Sequence, residues 1–215
     1  MTRDQLQARW QRCFRDLGVR DPPEGRFANL LRRYSEPHRA YHTLQHIGEC
    51  FAAFDAASGR IAEPGSVAAA LWFHDAVYDT HAADNEAESA ELAKTVLSAA
   101  GVAPAAIARV AAMILDTRHD ARPAPGDPAI LVDIDLGILG ASPERFSEYE
   151  AQVRREYDWV DEDMFRTTRR RILEGFLARP SIYASDVFAR RLEDQARQNL
   201  KASVAALSTS FPPRA

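Results

Sequence analysis

The stretch Ser66-Val67-Ala68-Ala69-Ala70-Leu71-Trp72-Phe73-His74-Asp75-Ala76-Val77-Tyr78-Asp79 decides how the rest of the chain is read. Ser66 is a good N-cap, and the residues from Val67 to about Tyr78 are apolar nearly all round. A helix with no polar face is buried on every side, so the segment predicts a central helix with others packed around it. His74 and Asp75 fall near its end and are expected to be at least partly buried. There a histidine and an aspartate are costly unless paired or bound to something.

Outward from this segment the apolar spacing is helical in both directions. Upstream, Leu6, Trp10, Cys13, Phe14 and Leu17 mark a first amphipathic helix over about 4–17, with Gly18 as its stop. Phe27, Leu30, Leu31 and Tyr34 mark a short second helix that ends before Pro37. A third is expected from about Arg39 to Ala57, with Leu44, Ile47, Phe51 and Phe54 inward and His42 and His46, four apart, on one face. Downstream, Asp84 caps a fifth helix that runs from Asn85 to about Ala100, and Pro104 opens a sixth. Asp127-Pro128 starts a seventh through Ile130, Leu131, Ile134 and Leu136. A strand over Ala129 to Ile134 is the rival reading, but Pro128 and Gly140 bracket about three turns of helix. Ser142-Pro143 starts an eighth, and Asp161 caps a ninth with Phe165, Ile172, Leu173, Phe176 and Leu177 on one side. Ser185 caps a last helix, from Asp186 to about Leu207, before a Phe211-Pro212-Pro213 tail. The expected architecture is all-α: one domain over 1–215, a bundle of about ten helices. A core of about 37–140 carries the chemistry, and the helices over 142–207 pack on it.

Composition narrows the function classes. With 27 Lys and Arg against 31 Asp and Glu the net charge is −4, which argues against an electrostatic grip on duplex nucleic acid or an anionic membrane. No apolar run approaches the ~18 residues that span a bilayer, and the N-terminus Met1-Thr2-Arg3-Asp4-Gln5 lacks an apolar signal segment. Cys13 and Cys50 stand far apart, in no disulfide framework or cysteine metal motif. A cytoplasmic protein of a reducing compartment is expected.

The chemistry-bearing residues recur in order: Tyr41-His42-Thr43-Leu44-Gln45-His46, then His74-Asp75, then Asp133-Ile134-Asp135-Leu136. His46, His74, Asp75 and Asp135 form the mixed imidazole and carboxylate set that Mn²⁺, Fe²⁺, Ni²⁺ or Zn²⁺ accepts, and a site with open positions lets water ionise near neutral pH. Mg²⁺ is a further candidate ion. Any one of these histidines alone would more simply be a hydrogen-bonded core residue.

One histidine, a later His-Asp dyad and a lone Asp further on resemble the HD-domain superfamily of metal-dependent phosphohydrolases over roughly 37–140. Tyr41-His42-Thr43-Leu44-Gln45-His46 is similar to the Tyr-His-Asn-x-x-His signature of its cyclic-nucleotide phosphodiesterases, with Thr43 in place of the Asn. Ala70 to Asp79, Asp84-Asn85-Glu86 and Asp133 to Gly140 together resemble a group of small bacterial HD-domain proteins of predicted phosphohydrolase function. That likeness extends through Val153-Arg154-Arg155-Glu156-Tyr157. The resemblance implies an all-α fold, His46, His74, Asp75 and Asp135 as ligands of a divalent ion, and His42 as general acid. It implies hydrolysis of a phosphate ester or anhydride of a nucleotide or other small phosphorylated metabolite, and it is compatible with a homodimer.

Other roles stay open at this level. Asp133 competes with Asp135 for the last ligand position. Asp79 or Glu86 would orient or deprotonate the water, because related alarmone hydrolases carry a Glu-Asp pair after His-Asp; here Tyr78 takes the glutamate's place. Otherwise Glu86 complements a helix dipole and Asp79 ends a helix. His119 is an extra ligand, a phosphate contact or a solvent-facing helix end. Arg154, inside the resembling segment, is the first candidate for pairing with phosphate oxygens. The rival functions are a non-catalytic nucleotide- or partner-binding module and a di-iron oxygenase, for which His119 and His81 are the only spare histidines.

Overall fold

The computed structural model describes residues 1–208; the Phe211-Pro212-Pro213 tail lies outside them. Ten α-helices and two short 3-10 turns make up the fold, with no strand among the described residues, so the rival strand over 129–134 is set aside. The helices are α1 Arg3–Asp16, α2 Arg26–Arg33, α3 Leu44–Ala57, α4 Pro64–Phe73, α5 Asn85–Ala99, α6 Pro104–Asp116, α7 Asp127–Asp135, α8 Pro143–Glu156, α9 Glu162–Leu177 and α10 Asp186–Ser208.

The centre is α4, as its sequence requires. Every residue from Gly65 to Phe73 is buried, and α1, α3, α5, α6 and α7 pack around it. Trp72 anchors an aromatic cluster, with ring centres 5.7 Å from Trp10, 4.9 Å from Phe51 and 6.1 Å from Phe27. The contact with α1 is close enough to need a glycine: a Cβ on Gly65 would lie 2.9 Å from the Asp16 carbonyl carbon and 3.0 Å from the Leu17 nitrogen. The C-terminal helices cover the far side, where α9 and the 3-10 turn Leu136–Gly140 pack against α10.

Several boundaries differ from expectation. Helix α4 begins at Pro64, so Ser66 is an interior residue rather than a cap, and proline supplies the preorganised first turn. It also ends at Phe73, before the expected Tyr78, because residues 74–76 close a turn from the Ala76 amide to the Phe73 carbonyl. The freed carbonyls of Asp75 and Ala76 accept from Arg39 and Arg33 instead. Helix α3 starts at Leu44, not Arg39, because the Thr43 hydroxyl accepts from the Gln45 amide as an N-cap. His42 therefore belongs to the loop before α3, not to the face that carries His46. Asp127 lies within the first turn of α7 and accepts from the amides of Ala62 and Glu63, fastening α7 to the start of α4. Ile172, expected inward on α9, is 44% exposed.

Candidate metal centre

The end of α4 meets α3 and α7 at a cluster of converging polar atoms. His74 is the residue just past α4, and its Nδ1 lies 3.0 Å from the Leu71 carbonyl, so Nδ1 carries the proton and Nε2 is left with a lone pair. That Nε2 is 3.0 Å from His46 Nε2 on α3. Asp75 Oδ2 stands 3.0 Å from His74 Nε2 and 3.4 Å from His46 Nε2, and Asp135 Oδ1, at the end of α7, stands 3.5 and 3.3 Å from the same two nitrogens. Both imidazoles are 1% exposed. Donors bound to one ion at about 2.1 Å are separated by about 3.0 Å at a right angle and about 3.4 Å at the tetrahedral angle. The spacings to the two imidazoles would suit ligands of a single ion.

Two further observations test the fit. Asp75 Oδ2 is buried, and the groups nearest it are the two Nε2 atoms; where these carry lone pairs it has no donor, a costly state that a cation relieves. Two imidazole Nε2 atoms 3.0 Å apart also repel through their lone pairs unless a proton or cation lies between them. Without an ion, protons serve. Burial opposes charge on His74, but the Asp75 and Asp135 carboxylates outweigh it and raise its pKa well above the usual histidine range. Burial likewise works against ionised Asp75 and Asp135, and the histidines around them hold both well below the usual carboxylate range.

Cys50, one turn beyond His46 on α3, is a group that the motif reading missed. A ligand atom from each of His46, Cys50, His74 and Asp135 falls within 4.8 Å of the others, a His-Cys-His-Asp group that could hold a metal ion. The Cys50 sulfur is 3.7 and 3.6 Å from the two nitrogens of the His46 ring and so sits beside that ring. Asp75 Oδ2 is closer to His46 Nε2 than the Cys50 sulfur is, 3.4 against 3.6 Å, and also stands 3.0 Å from His74 Nε2, so Asp75 is an alternative to Cys50 in the set.

His119 joins the cluster, its Nε2 3.0 Å from Asp135 Oδ2. It is not a solvent-facing helix end: its Nδ1 is buried without a partner, and its φ of 59° is the one positive value outside glycine among the described residues. Such strain persists only where the surroundings enforce it. Asp133, the rival of Asp135, points elsewhere. Its carboxylate accepts from the amides of Ala184 and Ser185, 2.7 Å each, and from the Ser185 hydroxyl, fixing the start of α10.

His42 is held by a residue that the motif reading passed over. Glu156, at the end of α8 and 4% exposed, accepts at Oε1 from the successive amides of Ala40, Tyr41 and His42, at 2.7, 2.8 and 3.0 Å. Its Oε2 accepts from His42 Nδ1 at 2.7 Å and from the Tyr78 hydroxyl at 2.8 Å. Burial alone would raise this carboxyl, but hydrogen bonds from His42 and the backbone outweigh it and hold it at about 2. The sequence did carry a signal: Phe146, Tyr149, Val153 and Glu156 follow one another at helical spacing on the buried face of α8. Arg39 completes the frame, donating to the carbonyls of both His42 and Asp75.

A cleft of about 830 Å³ opens over the cluster, lined by His42, Asp75, Glu86, His119 and Asp135 among others. His46 and His74 lie beneath its lining, and two of the expected residues, Arg154 and Asp79, belong to neither the cleft nor the cluster. Arg154 donates to Glu162 and to the Tyr157 and Val160 carbonyls, and lies over Phe165, so its guanidinium closes the turn between α8 and α9. Asp79 accepts from the His81 amide and is bracketed by Asn85, which organises the loop before α5, and it lines a smaller adjoining pocket of about 690 Å³. Glu86 faces the cleft with Oε2 4.0 Å from Arg118 Nε. No protein-family model, curated protein or solved structure matches the chain. No helix among the described residues is long and apolar enough to cross a membrane.

Proposed function

We propose that the chain is a metal-dependent phosphohydrolase of the HD-domain kind, acting on an ester or anhydride of a nucleotide or other small phosphorylated metabolite. The observation that carries it is the spacing of the His46, His74, Asp75 and Asp135 ligand atoms, with the buried Asp75 oxygen facing both Nε2 atoms. These four would hold a divalent ion, Mn²⁺, Fe²⁺, Ni²⁺, Zn²⁺ or Mg²⁺. When bound, such an ion polarises a phosphoryl oxygen and eases the ionisation of water. The chain's own residues do the rest. Glu156 fixes the ring of His42 through Nδ1, so in the imidazolium form the second proton sits on Nε2, and that is the proton given to the leaving oxygen. Glu86 is the carboxylate in the cleft that can orient or deprotonate water. Asp79 is not retained in that role, nor Arg154 as a phosphate contact.

A second reading rests on His119. His119 and the outer oxygen of Asp135 would be the residues to hold a second ion. A second divalent ion would suit the same hydrolysis, and a pair of irons would supply oxidative chemistry instead. Turnover of a panel of phosphate esters and anhydrides, with oxygen uptake followed in parallel, separates the readings. Phosphate release that falls by about 10²–10⁴ in His42→Ala, with ions retained, is the expected result. Full ion occupancy with no release overturns the hydrolase and leaves a binding module, or an oxygenase if oxygen is consumed.

A further inference from the structure

Among the described residues five large apolar side chains are exposed, and three of them, Trp159 at 51%, Met164 at 65% and Ile172 at 44%, line the cleft over the metal centre. Burying such groups against a ligand is favourable in proportion to the area covered. Their placement is fixed in advance: Trp159 donates to the Thr80 hydroxyl at 2.9 Å and stacks on His81 at 4.0 Å. Met164 and Ile172 lie two turns apart on α9 and face the same cleft. Gly175 continues that wall, and a Cβ there would meet nothing within 4 Å. A glycine inside a helix costs about 1 kcal/mol relative to alanine. No packing contact requires it, and its missing side chain adds room to the cleft.

The cations lie along the same cleft. Arg179 donates to the His119 carbonyl at 2.8 Å and lies over the Phe176 ring; among the described residues it has no carboxylate partner, and Arg171 forms no ion pair or hydrogen bond. Since His119 touches Asp135, Arg179 stands one residue from the metal centre. Among the described residues the only carboxylates lining the cleft are Asp75, Asp135 and Glu86.

Resting on the hydrolase reading, we infer that the substrate is an amphiphilic organophosphate: its phosphoryl group meets Arg171 and Arg179, and a sizeable apolar body lies along Trp159, Met164, Ile172 and the space at Gly175. Sugar phosphates and inorganic polyphosphate fit this wall poorly, since they would leave its apolar groups uncovered. The occupant is a small molecule because the wall is one side of a concave site of ligand size.

The test is calorimetric binding of methyl-, butyl- and naphthylmethylphosphonate to the ion-loaded full chain, with turnover of the phosphate panel measured on the same preparations. Affinity should rise about fourfold per buried methylene, and at least tenfold from methyl- to naphthylmethylphosphonate. Gly175→Leu, which should fold at least as well by its melting temperature, should cancel most of that gain. Equal affinities along the series, the same gain in Gly175→Leu, or no phosphonate binding would overturn the inference. Turnover without a gain from size removes this inference alone, whereas a gain without turnover removes the hydrolase and overturns the substrate reading with it, leaving only a binding site for an amphiphilic phosphate.

Discussion

Glu156 and Asp75 carry the sharpest consequences at the scale of single residues. Glu156 anchors five donors, and Glu156→Gln replaces a charged acceptor with an amide that must face His42 Nδ1 and the Tyr78 hydroxyl. The expected loss is about 10²–10⁴ in kcat, that of a misoriented proton donor, with ion content unchanged. Equal loss of both would make Glu156 only a strut. Its pKa also has a thermodynamic sign. A carboxyl held at about 2 when folded, against 4.5 when free, adds stability that is present above about pH 4.5 and lost as the pH falls toward 2. Acid melts of the parent should therefore steepen over that window relative to Glu156→Gln. Asp75 and Cys50 are told apart by substitution with a cobalt spectrum: Cys50→Ser should keep cobalt and Asp75→Asn should lose it. A sulfur-to-cobalt charge-transfer band in the parent would reverse that ligand assignment.

At the scale of elements the site depends on where helices stop. His74 and Asp75 reach the centre because α4 ends at Phe73, and His42 reaches the cleft because α3 begins only at Leu44. A close helix contact lies at Gly65, where a Cβ would meet backbone atoms of Asp16 and Leu17, at the end of α1, that cannot rotate away. Gly65→Ala should lower unfolding stability by about 1–3 kcal/mol in urea titration; a neutral effect would mean α1 is free to shift. The all-α class, the central α4 and the helix order were legible because each apolar stripe has one period. The helix ends around the site were not, because tertiary partners set them: Arg39 and Arg33 take the carbonyls past α4, and Glu156 takes the amides before α3. The convergence of His46, His74, Asp75 and Asp135 followed from motif order. The role of Arg154 did not, because a guanidinium in a helix's last turn serves a neighbouring turn as readily as a ligand.

For the molecule as a whole, α3, α4 and α7 each end or begin at the cluster, so an ion there would tie together the helices that enclose the core. Ligand at about a hundred times its Kd adds about 2.7 kcal/mol to the folded state, or about 5–10 °C in Tm for a chain of this size. The parent should gain that on ion addition and lose it to a chelator, while His74→Ala shows neither change. The most direct measurement is the ion content of the purified chain and of a His74→Ala, Asp75→Ala double variant, each offered Mn²⁺, Fe²⁺, Ni²⁺, Zn²⁺ or Mg²⁺ and checked for helix content. At least one ion per parent chain, lost in a still-helical variant, is the predicted result. A folded parent that retains none of these ions would contradict the account and make the His-Asp pair an element of the core.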